Sequence, residues 1–174
     1  MTLARRGVSA PTSPFPVLPL RSGTLFPGTT LTLPVGRVRS VALLDALTPG
    51  QVIGVAFQKS ADVSEPGDGD LHDIGTWARV ARLERTRDRG FRVTLDGLGR
   101  FQLTRVIRTE PFWTAEGTDL EETHDTSPEA RVLAETLRDR AASLASQSGG
   151  ALTGVTANGD DPGSVADQIL SSAP

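Results

Sequence analysis

Two histidines are the residues of this chain best suited to acid–base catalysis or metal ligation near neutral pH. His72 and His124 are far apart in the sequence, and each lies in a polar stretch. A catalytic triad or a two-histidine metal site requires the side chains to lie within hydrogen-bond or ligand distance of each other. Because nothing in the local sequence brings these two together, the histidines predict neither kind of site.

An acidic run at residues 68–73 contains oxygen atoms and one imidazole of the kinds that bind divalent cations. Asp68, Asp70, His72 and Asp73 nevertheless lack the ordered ligand spacing of a calcium loop, so a solvated acidic loop is favoured over a metal site. The chain contains no cysteine, which excludes disulfides and thiolate metal sites. No metal ligand is therefore assigned.

Nucleophilic and phosphate-binding motifs are incomplete. Lys59 and Ser60 are adjacent, and adjacent residues of a strand point to opposite faces, which argues against a Ser-Lys dyad. The segment 54–60 is not a phosphate-binding loop, because Gln58 occupies the position where that motif requires glycine. The Gly97-Leu98-Gly99 segment lacks the third glycine of a dinucleotide fingerprint and instead predicts a β-bulge or corner.

Binding chemistry is better represented than catalytic chemistry. Arginines concentrate around one predicted hairpin, at Arg79, Arg82, Arg85, Arg87, Arg89 and Arg92, and such a cluster suits phosphate groups. Glu84, Asp88 and Asp96 are interleaved with them, so a self-neutralised solvated face is favoured over a nucleic-acid patch. The net charge of −3 does not favour a nucleic-acid partner either.

Large apolar side chains at turn positions indicate a second kind of binding. Phe26 precedes Pro27 in a turn, and Leu98 lies between two glycines. Trp77 and Trp113 need not be buried either. We expect most of these residues to be core residues and one or two to form an exposed apolar groove for extended peptide.

The elements that must position these residues begin with a strand, a turn, a strand and a helix at residues 16–47. Strand alternation with one buried face is predicted from Leu18, Leu20, Leu31, Leu33 and Val35, and helical spacing from Val38, Val41, Ala42, Leu44 and Leu47. Residues 51–59 predict a strand buried on both faces. A hairpin at 74–95 and extended pieces at 101–107 and 112–121 bring the total to six or seven strands, which indicates an antiparallel or mixed barrel.

Residues 121–174 are chemically distinct, with 3 basic and 9 acidic residues, and predict two helices. Ser127, Pro128 and Glu129 are typical of a helix start. One apolar stripe follows at Ala130, Leu133, Ala134, Leu137, Ala141, Leu144 and Ala145. A second helix opens at Asp161 with its own apolar edge, and we expect another subunit or further sequence to cover it.

The order of these motifs resembles the N-terminal domain of Lon proteases. The similarity covers roughly residues 15–122 and includes, in order, PVLPLR, LFPG, LPVGR, SVALLDAL, IGVAFQK, DLHDIGTWARV, VTLDGLGRFQL and EPFWTAEGTDLEE. The helical remainder with DPGSVADQIL resembles the way that family continues. The resemblance implies an α+β fold with a PUA-like six-stranded pseudo-β-barrel and one early helix, followed by a helical segment.

From the resemblance we expect a disordered tail at 1–14, the barrel at 15–122 and the start of a truncated helical subdomain at 123–174. It implies a non-catalytic domain that captures unfolded or tagged proteins and supports hexamer assembly. It also implies that a Ser-Lys protease and an ATPase using ATP and magnesium lie in other modules, with no cofactor or catalytic residue in this segment. A stand-alone adaptor and a nucleic-acid-binding protein using the hairpin at 79–92 are the alternatives.

Within that reading, Phe26, Leu98, Phe101 and Trp113 are the candidate polypeptide-binding residues. We expect a rigid barrel to present these large apolar side chains to unfolded polypeptide. The sequence has no apolar run long enough to span a membrane and no signal-peptide core at its N-terminus, so we expect a cytoplasmic protein without a membrane partner.

Overall fold

The computed structural model describes residues 11, 13–123, 125, 127–147 and 161–171. The described strands and α-helices in chain order are β1 (Phe15–Leu20), β2 (Thr30–Val35), α1 (Val38–Asp45), β3 (Val52–Phe57), β4 (Ile74–Arg85), β5 (Phe91–Arg108), β6 (Thr114–Leu120), α2 (Pro128–Gln147) and α3 (Pro162–Ser171), with a short 3-10 helix at Asp68–Asp70. His124, residues 1–10 of the predicted tail and the predicted loop at 151–160 lie outside the described residues.

The six strands form one mixed sheet in the order β2-β5-β4-β3-β1-β6, and β6 also pairs with β5. These pairings close a ring through β5, β4, β3, β1 and β6, while β2 extends β5 along the edge that β6 also uses. Only β1 and β3 run parallel among the described strands; the other pairs are antiparallel. The predicted α+β fold with six strands and one early helix is confirmed.

β5 is one strand of 18 residues, although the sequence predicts that glycines at 97 and 99 interrupt it. Trp77 pairs with Gly99 and Ala78 pairs with Gly97, so Leu98 is the extra residue of a β-bulge. The bulge was the predicted structure for this segment, and it bends β5 without ending it. Its two halves therefore pair with different strands along one edge, β2 first and β6 afterwards.

β1 is buried on both faces, and the prediction of a single buried face is wrong for this strand. Leu18 and Leu20 belong to one core cluster, whereas Phe15 and Val17 belong to another. Packing covers both faces: the first cluster includes Leu43 and Leu44 of α1, and the second includes Trp77 and Phe101. In β2, which lies at the end of the sheet, the predicted alternation is observed.

The three helices begin where the sequence predicts. In α1, Leu43 and Leu44 are buried, whereas Val38, which the helical spacing placed among the apolar positions, is 84% exposed. In α2, the Ser127 hydroxyl accepts the Ala130 N–H at 3.2 Å, which confirms the predicted cap. The N–H and hydroxyl of Ser127 hold the pKa of Asp125 below its usual range by hydrogen bonding to that carboxylate.

Candidate polypeptide-binding surface

Phe26 lies in a turn that is fixed to the sheet at several points. The Thr29 hydroxyl hydrogen-bonds both the N–H and the carbonyl of Phe26, at 3.2 and 2.8 Å. The buried Thr76 hydroxyl donates to the Leu25 carbonyl at 2.7 Å. Gly28 has φ 75°, a left-handed conformation that favours glycine, and this reverses the chain. The half-buried Phe26 side chain is therefore carried on a well-defined backbone.

The Phe26 turn rests directly on the bulge of β5. Gly28 N–H donates to the Gly97 carbonyl at 2.9 Å, and Gly97 N–H donates to the Thr29 carbonyl at 2.8 Å. A side chain at position 97 would clash with the Phe26 carbonyl, so the close approach requires glycine. Leu98 follows Gly97 and is half-buried. Leu98 also packs against the second core cluster. We call the region formed by Phe26 and Leu98, on either side of the Gly97 contact, the Phe26 corner.

Phe101 and Trp113 are core residues, and the expectation that they are presented at the surface is wrong. Phe101 is 0% exposed and Trp113 is 3% exposed. The Phe101 ring stacks on Trp77 at 4.4 Å between centroids and meets Phe15 edge-on at 5.3 Å. Gly75 lacks the side chain that would collide with the Phe101 ring. This small-to-large complementarity buries the aromatic rings, so of the four candidates only Phe26 and Leu98 remain accessible.

Two adjoining cavities run along the end of β1, and the sequence did not indicate them. The first, of about 290 Å³, lies between residues 18–22 and 33–37 and reaches Ser40. The second, of about 570 Å³, lies between residues 20–24 and a wall that contains Gln58, His72 and Ile74. They share Leu20, Arg21 and Ser22, and we call them together the β1 groove. The half-exposed Ile74 adds apolar surface to the second cavity.

Comparison with known proteins identifies the family to which this fold belongs. A family model described as the ATP-dependent protease La (LON) substrate-binding domain matches residues 14–174. The chain belongs to the Lon substrate-binding domain family. The resemblance predicted from the order of sequence motifs is thereby confirmed.

Relatives at the sequence level are Lon proteases. Lon protease 4 of Sorangium cellulosum is 50% identical over 170 residues, which cover 97% of this chain and 21% of that protein. The Lon protease of Anaeromyxobacter dehalogenans is 40% identical over 101 residues, covering 58% of this chain and 12% of that protein. This Lon domain thus spans about a fifth of the length of such relatives.

Solved structures support the fold. The N-terminal domain of a Mycobacterium avium complex Lon protease superposes with a TM-score of 0.64 at 16% identity, covering 90% of this chain and 81% of that one. A Lon N-terminal domain protein from Xanthomonas campestris superposes with a TM-score of 0.54 at 23% identity, covering 92% and 98%. At these identities the likeness concerns architecture.

The arginine hairpin of this Lon domain is partly neutralised. Arg82 pairs with Glu84 at 2.6 Å, and Arg85 pairs with Asp45 and lies over the Phe91 ring at 4.9 Å. Across the hairpin, Arg79 lies opposite Asp96 and Arg92 lies opposite Glu84. Arg87 and Arg89 are exposed at the turn, where Arg89 has φ 63°. Acidic residues therefore lie beside most of the arginines of the predicted nucleic-acid face.

β3 ends at Phe57, short of the predicted strand end at residue 59, so Lys59 and Ser60 lie beyond the strand and the argument from strand faces does not apply to them. Their hydrogen bonds nevertheless go to separate partners. The Lys59 ammonium donates to the Gly69 carbonyl at 2.9 Å, whereas the Ser60 hydroxyl accepts the Asp62 N–H at 3.2 Å. Asp70 accepts the Gly67 N–H at 2.7 Å and orders the acidic loop. Within the described ranges, no three histidine or acidic side chains converge on a metal position.

None of the described helices is both long and apolar enough to cross a membrane. α2 is the longest of them, and charged residues recur along it. Leu133, Leu137 and Leu144 of the predicted apolar stripe are exposed, whereas Ala134 and Ala141 of the same stripe are buried.

Proposed function

We propose that this Lon domain is a non-catalytic module that captures unfolded or tagged polypeptides for an ATP-dependent protease. The Phe26 corner is the observation that carries the proposal. It offers two half-buried apolar side chains on backbones that hydrogen bonds hold in place. A preorganised apolar corner binds an extended chain with little loss of conformational freedom in the domain, so few contacts are enough for measurable affinity.

Weak binding suits this role. A protease that pulls its substrate onward must let go of each captured segment, and two partly buried side chains provide only a small contact area. Several copies of the domain on one assembly would raise the overall affinity without strengthening any single contact. We therefore include support of the parent hexamer in the proposal, with ATP, magnesium and the Ser-Lys chemistry assigned to other modules of the parent.

The proposal is tested by comparing one protein in two states. A fluorescently labelled protein, unfolded by removal of its disulfides and in its native form, is titrated with the full 174-residue chain. We expect binding of the unfolded form only. Equal lack of binding to both forms at high domain concentration would remove substrate capture and leave assembly as the remaining role.

Variants locate the contact. Phe26→Ser and Leu98→Ser should each weaken binding of the unfolded form several-fold, because each removes apolar surface from the corner. Ile107→Ser is the matched control, since Ile107 is an exposed apolar residue of the same strand as Leu98 but lies outside the corner. Equal weakening by all three variants would contradict a localised site.

A further inference from the structure

Arg37 lines the first cavity of the β1 groove, and no acidic side chain of the described part of the chain pairs with it. Its Nη1 donates to Gln58 Oε1 at 2.6 Å, while its enclosed Nη2 has no hydrogen-bond partner among the described residues. An amide oxygen satisfies one donor but does not neutralise the guanidinium. A half-buried, uncompensated cation attracts an anion more strongly than the same cation in open solvent.

Gln58 holds this guanidinium in one orientation. Gln58 is 8% exposed, and its Nε2 donates to the Val63 carbonyl at 3.0 Å. Its backbone N–H donates to the Leu20 carbonyl at 2.9 Å. These bonds direct Oε1 toward Arg37, so the arginine is positioned before any ligand arrives.

Three neighbours of Arg37 also favour an anion. Arg21 lines both cavities, and its Nε donates to the Ala61 carbonyl at 2.5 Å, another neutral partner. α1 begins beside the first cavity with no side-chain cap and no acidic residue in its first turn, which leaves amide donors and the positive end of the helix unopposed. Ser40, in that turn, also lines the cavity. No acidic residue lines either cavity in the described part of the chain.

A third cavity contains an arginine that acidic residues neutralise. Arg100 lines it and binds Glu122 at 3.0 Å and Asp167 at 2.6 Å. The same cavity is lined by further acidic residues. None of the described carboxylates pairs with Arg37, so its guanidinium lacks the neutralising partners that Arg100 has.

The surroundings of the cavity favour an anchored chain end or side chain over an added strand. No described strand pairs with the outer edge of β2 or with residues 18–20 on the side of β1 away from β3. Pro34 and Pro19 lie in these two segments, and proline has no N–H to offer an incoming strand. Recognition here therefore depends on Arg37 and on the apolar side chains that line the cavity.

We propose that the first cavity of the β1 groove binds a carboxylate of an extended polypeptide, either its C-terminal carboxylate or an acidic side chain. Arg37 is the principal partner of the carboxylate, and Arg21 adds positive charge. The cavity of about 290 Å³ is of a size to hold a single residue. The proposal rests on the proposed capture of polypeptides, and it names a chemical feature that captured polypeptides carry.

Three labelled peptides of the same neutral, partly apolar sequence test it by fluorescence anisotropy with the full chain. One ends in a free carboxylate, one is amidated, and one is amidated but carries a single internal aspartate. We expect at least one of the two carboxylate-bearing peptides to bind about tenfold more tightly than the neutral peptide, a difference of about 1.4 kcal/mol. Which one binds identifies the source of the carboxylate. Equal Kd values for all three would overturn the proposal.

Substitutions assign the effect to Arg37. Arg37→Gln and the isosteric Gln58→Glu should each abolish the tenfold preference, the second because it supplies an internal carboxylate to the guanidinium. Arg39→Gln is the control, because Arg39 lies two positions further on and pairs with Glu110 at 2.7 Å. Thermal unfolding establishes which variants fold. A folded Arg37→Gln that keeps the preference would overturn the proposal.

The two proposals fail in different ways. Loss of the peptide preference with retained binding of unfolded protein at the Phe26 corner would overturn the carboxylate site alone. A retained preference, with Phe26→Ser and Leu98→Ser both without effect on unfolded protein, would overturn the role of the corner and support the carboxylate site.

Discussion

Arg100 in β5 donates a hydrogen bond of 2.6 Å to Asp167 in α3, although 67 positions separate the two residues. Asp167 is only 8% exposed, and a second nitrogen of Arg100 binds Glu122 at 3.0 Å. One guanidinium thus links the β5–β6 side of the ring to α3, the last described helix. Because half-buried charged pairs are sensitive to the loss of either partner, this contact stabilises the position of α3 on the ring.

A double-mutant cycle should detect this connection. We expect Arg100→Ala and Asp167→Ala to show a coupling free energy of about 1–2 kcal/mol, between the values for exposed and for buried charged pairs. The pair of Arg105 and Glu116 is the control, because its side chains are 66% and 40% exposed at 3.1 Å and should couple by less than about 1 kcal/mol. Urea unfolding measures both cycles, and equal coupling would contradict the assigned role.

Glycine at position 97 should be essential for the Phe26 corner. Gly97→Ala places a methyl group against the Phe26 carbonyl, a backbone atom that cannot move aside alone, and should lower the free energy of unfolding by about 1–3 kcal/mol. Gly99→Ala is the matched control, since no atom lies within 4 Å of the added methyl group. Its effect should stay within about 0.5 kcal/mol. Similar losses in both variants would show that the close approach is not limiting.

Local patterns predicted the elements well because each depends on neighbouring residues. The helix start at Ser127 and the bulge at Leu98 follow from capping and glycine chemistry, and both are observed. The burial of β1 on both faces was not predictable in this way, because its two faces pack into two core clusters built from distant strands and from α1. Packing between residues that are far apart in the sequence leaves no periodic pattern in the local sequence.

The candidate site was predicted only in part, for a related physical reason. Phe26 is restricted by its own turn, so its accessibility follows from local sequence. Phe101 is buried because Gly75 and Trp77 of another strand make room for it and stack on it. Nothing in the local sequence marks Arg37 as enclosed, yet Gln58 of a distant segment accepts its Nη1 hydrogen bond. Pairings across elements decide both cases.

Phe101 and Phe26 should therefore respond differently to substitution. Phe101→Leu removes the stacking partner of Trp77 and should lower the free energy of unfolding by about 1–3 kcal/mol, without changing the affinity of the folded domain for unfolded protein. Phe26→Ser should weaken that affinity with a smaller loss of stability, because Phe26 is only half-buried. Urea unfolding measures the change in stability. Anisotropy titrations, at a temperature below the unfolding temperature of either variant, measure the change in affinity. If Phe101→Leu weakened the affinity for unfolded protein and Phe26→Ser did not, Phe101 and not Phe26 would belong to the binding surface.

Neutralising two acidic residues should show whether neighbouring carboxylates prevent the arginine hairpin from binding nucleic acid. Asp96 lies opposite Arg79 and Glu84 lies opposite Arg92, so phosphates approaching these arginines also meet carboxylates. We expect the unsubstituted chain to bind a single-stranded RNA weakly at 150 mM salt. At 50 mM salt, the double variant Glu84→Gln, Asp96→Asn should bind the RNA more tightly than the unsubstituted chain does at the same salt concentration. Its affinity should also fall more steeply as salt rises, because more of its arginines then contact phosphates.

The control for this last experiment keeps the charge change but moves it away from the hairpin. Asp68→Asn and Asp73→Asn remove two exposed acidic residues of the 68–73 loop, and neither forms an ion pair with an arginine among the described residues. If this control gains as much RNA affinity as the hairpin variant, the gain reflects net charge alone. Tight binding by the unsubstituted chain, with a steep salt dependence that Arg79→Ala and Arg92→Ala reduce, would instead establish the hairpin as a nucleic-acid site, because each lost arginine would remove one phosphate contact.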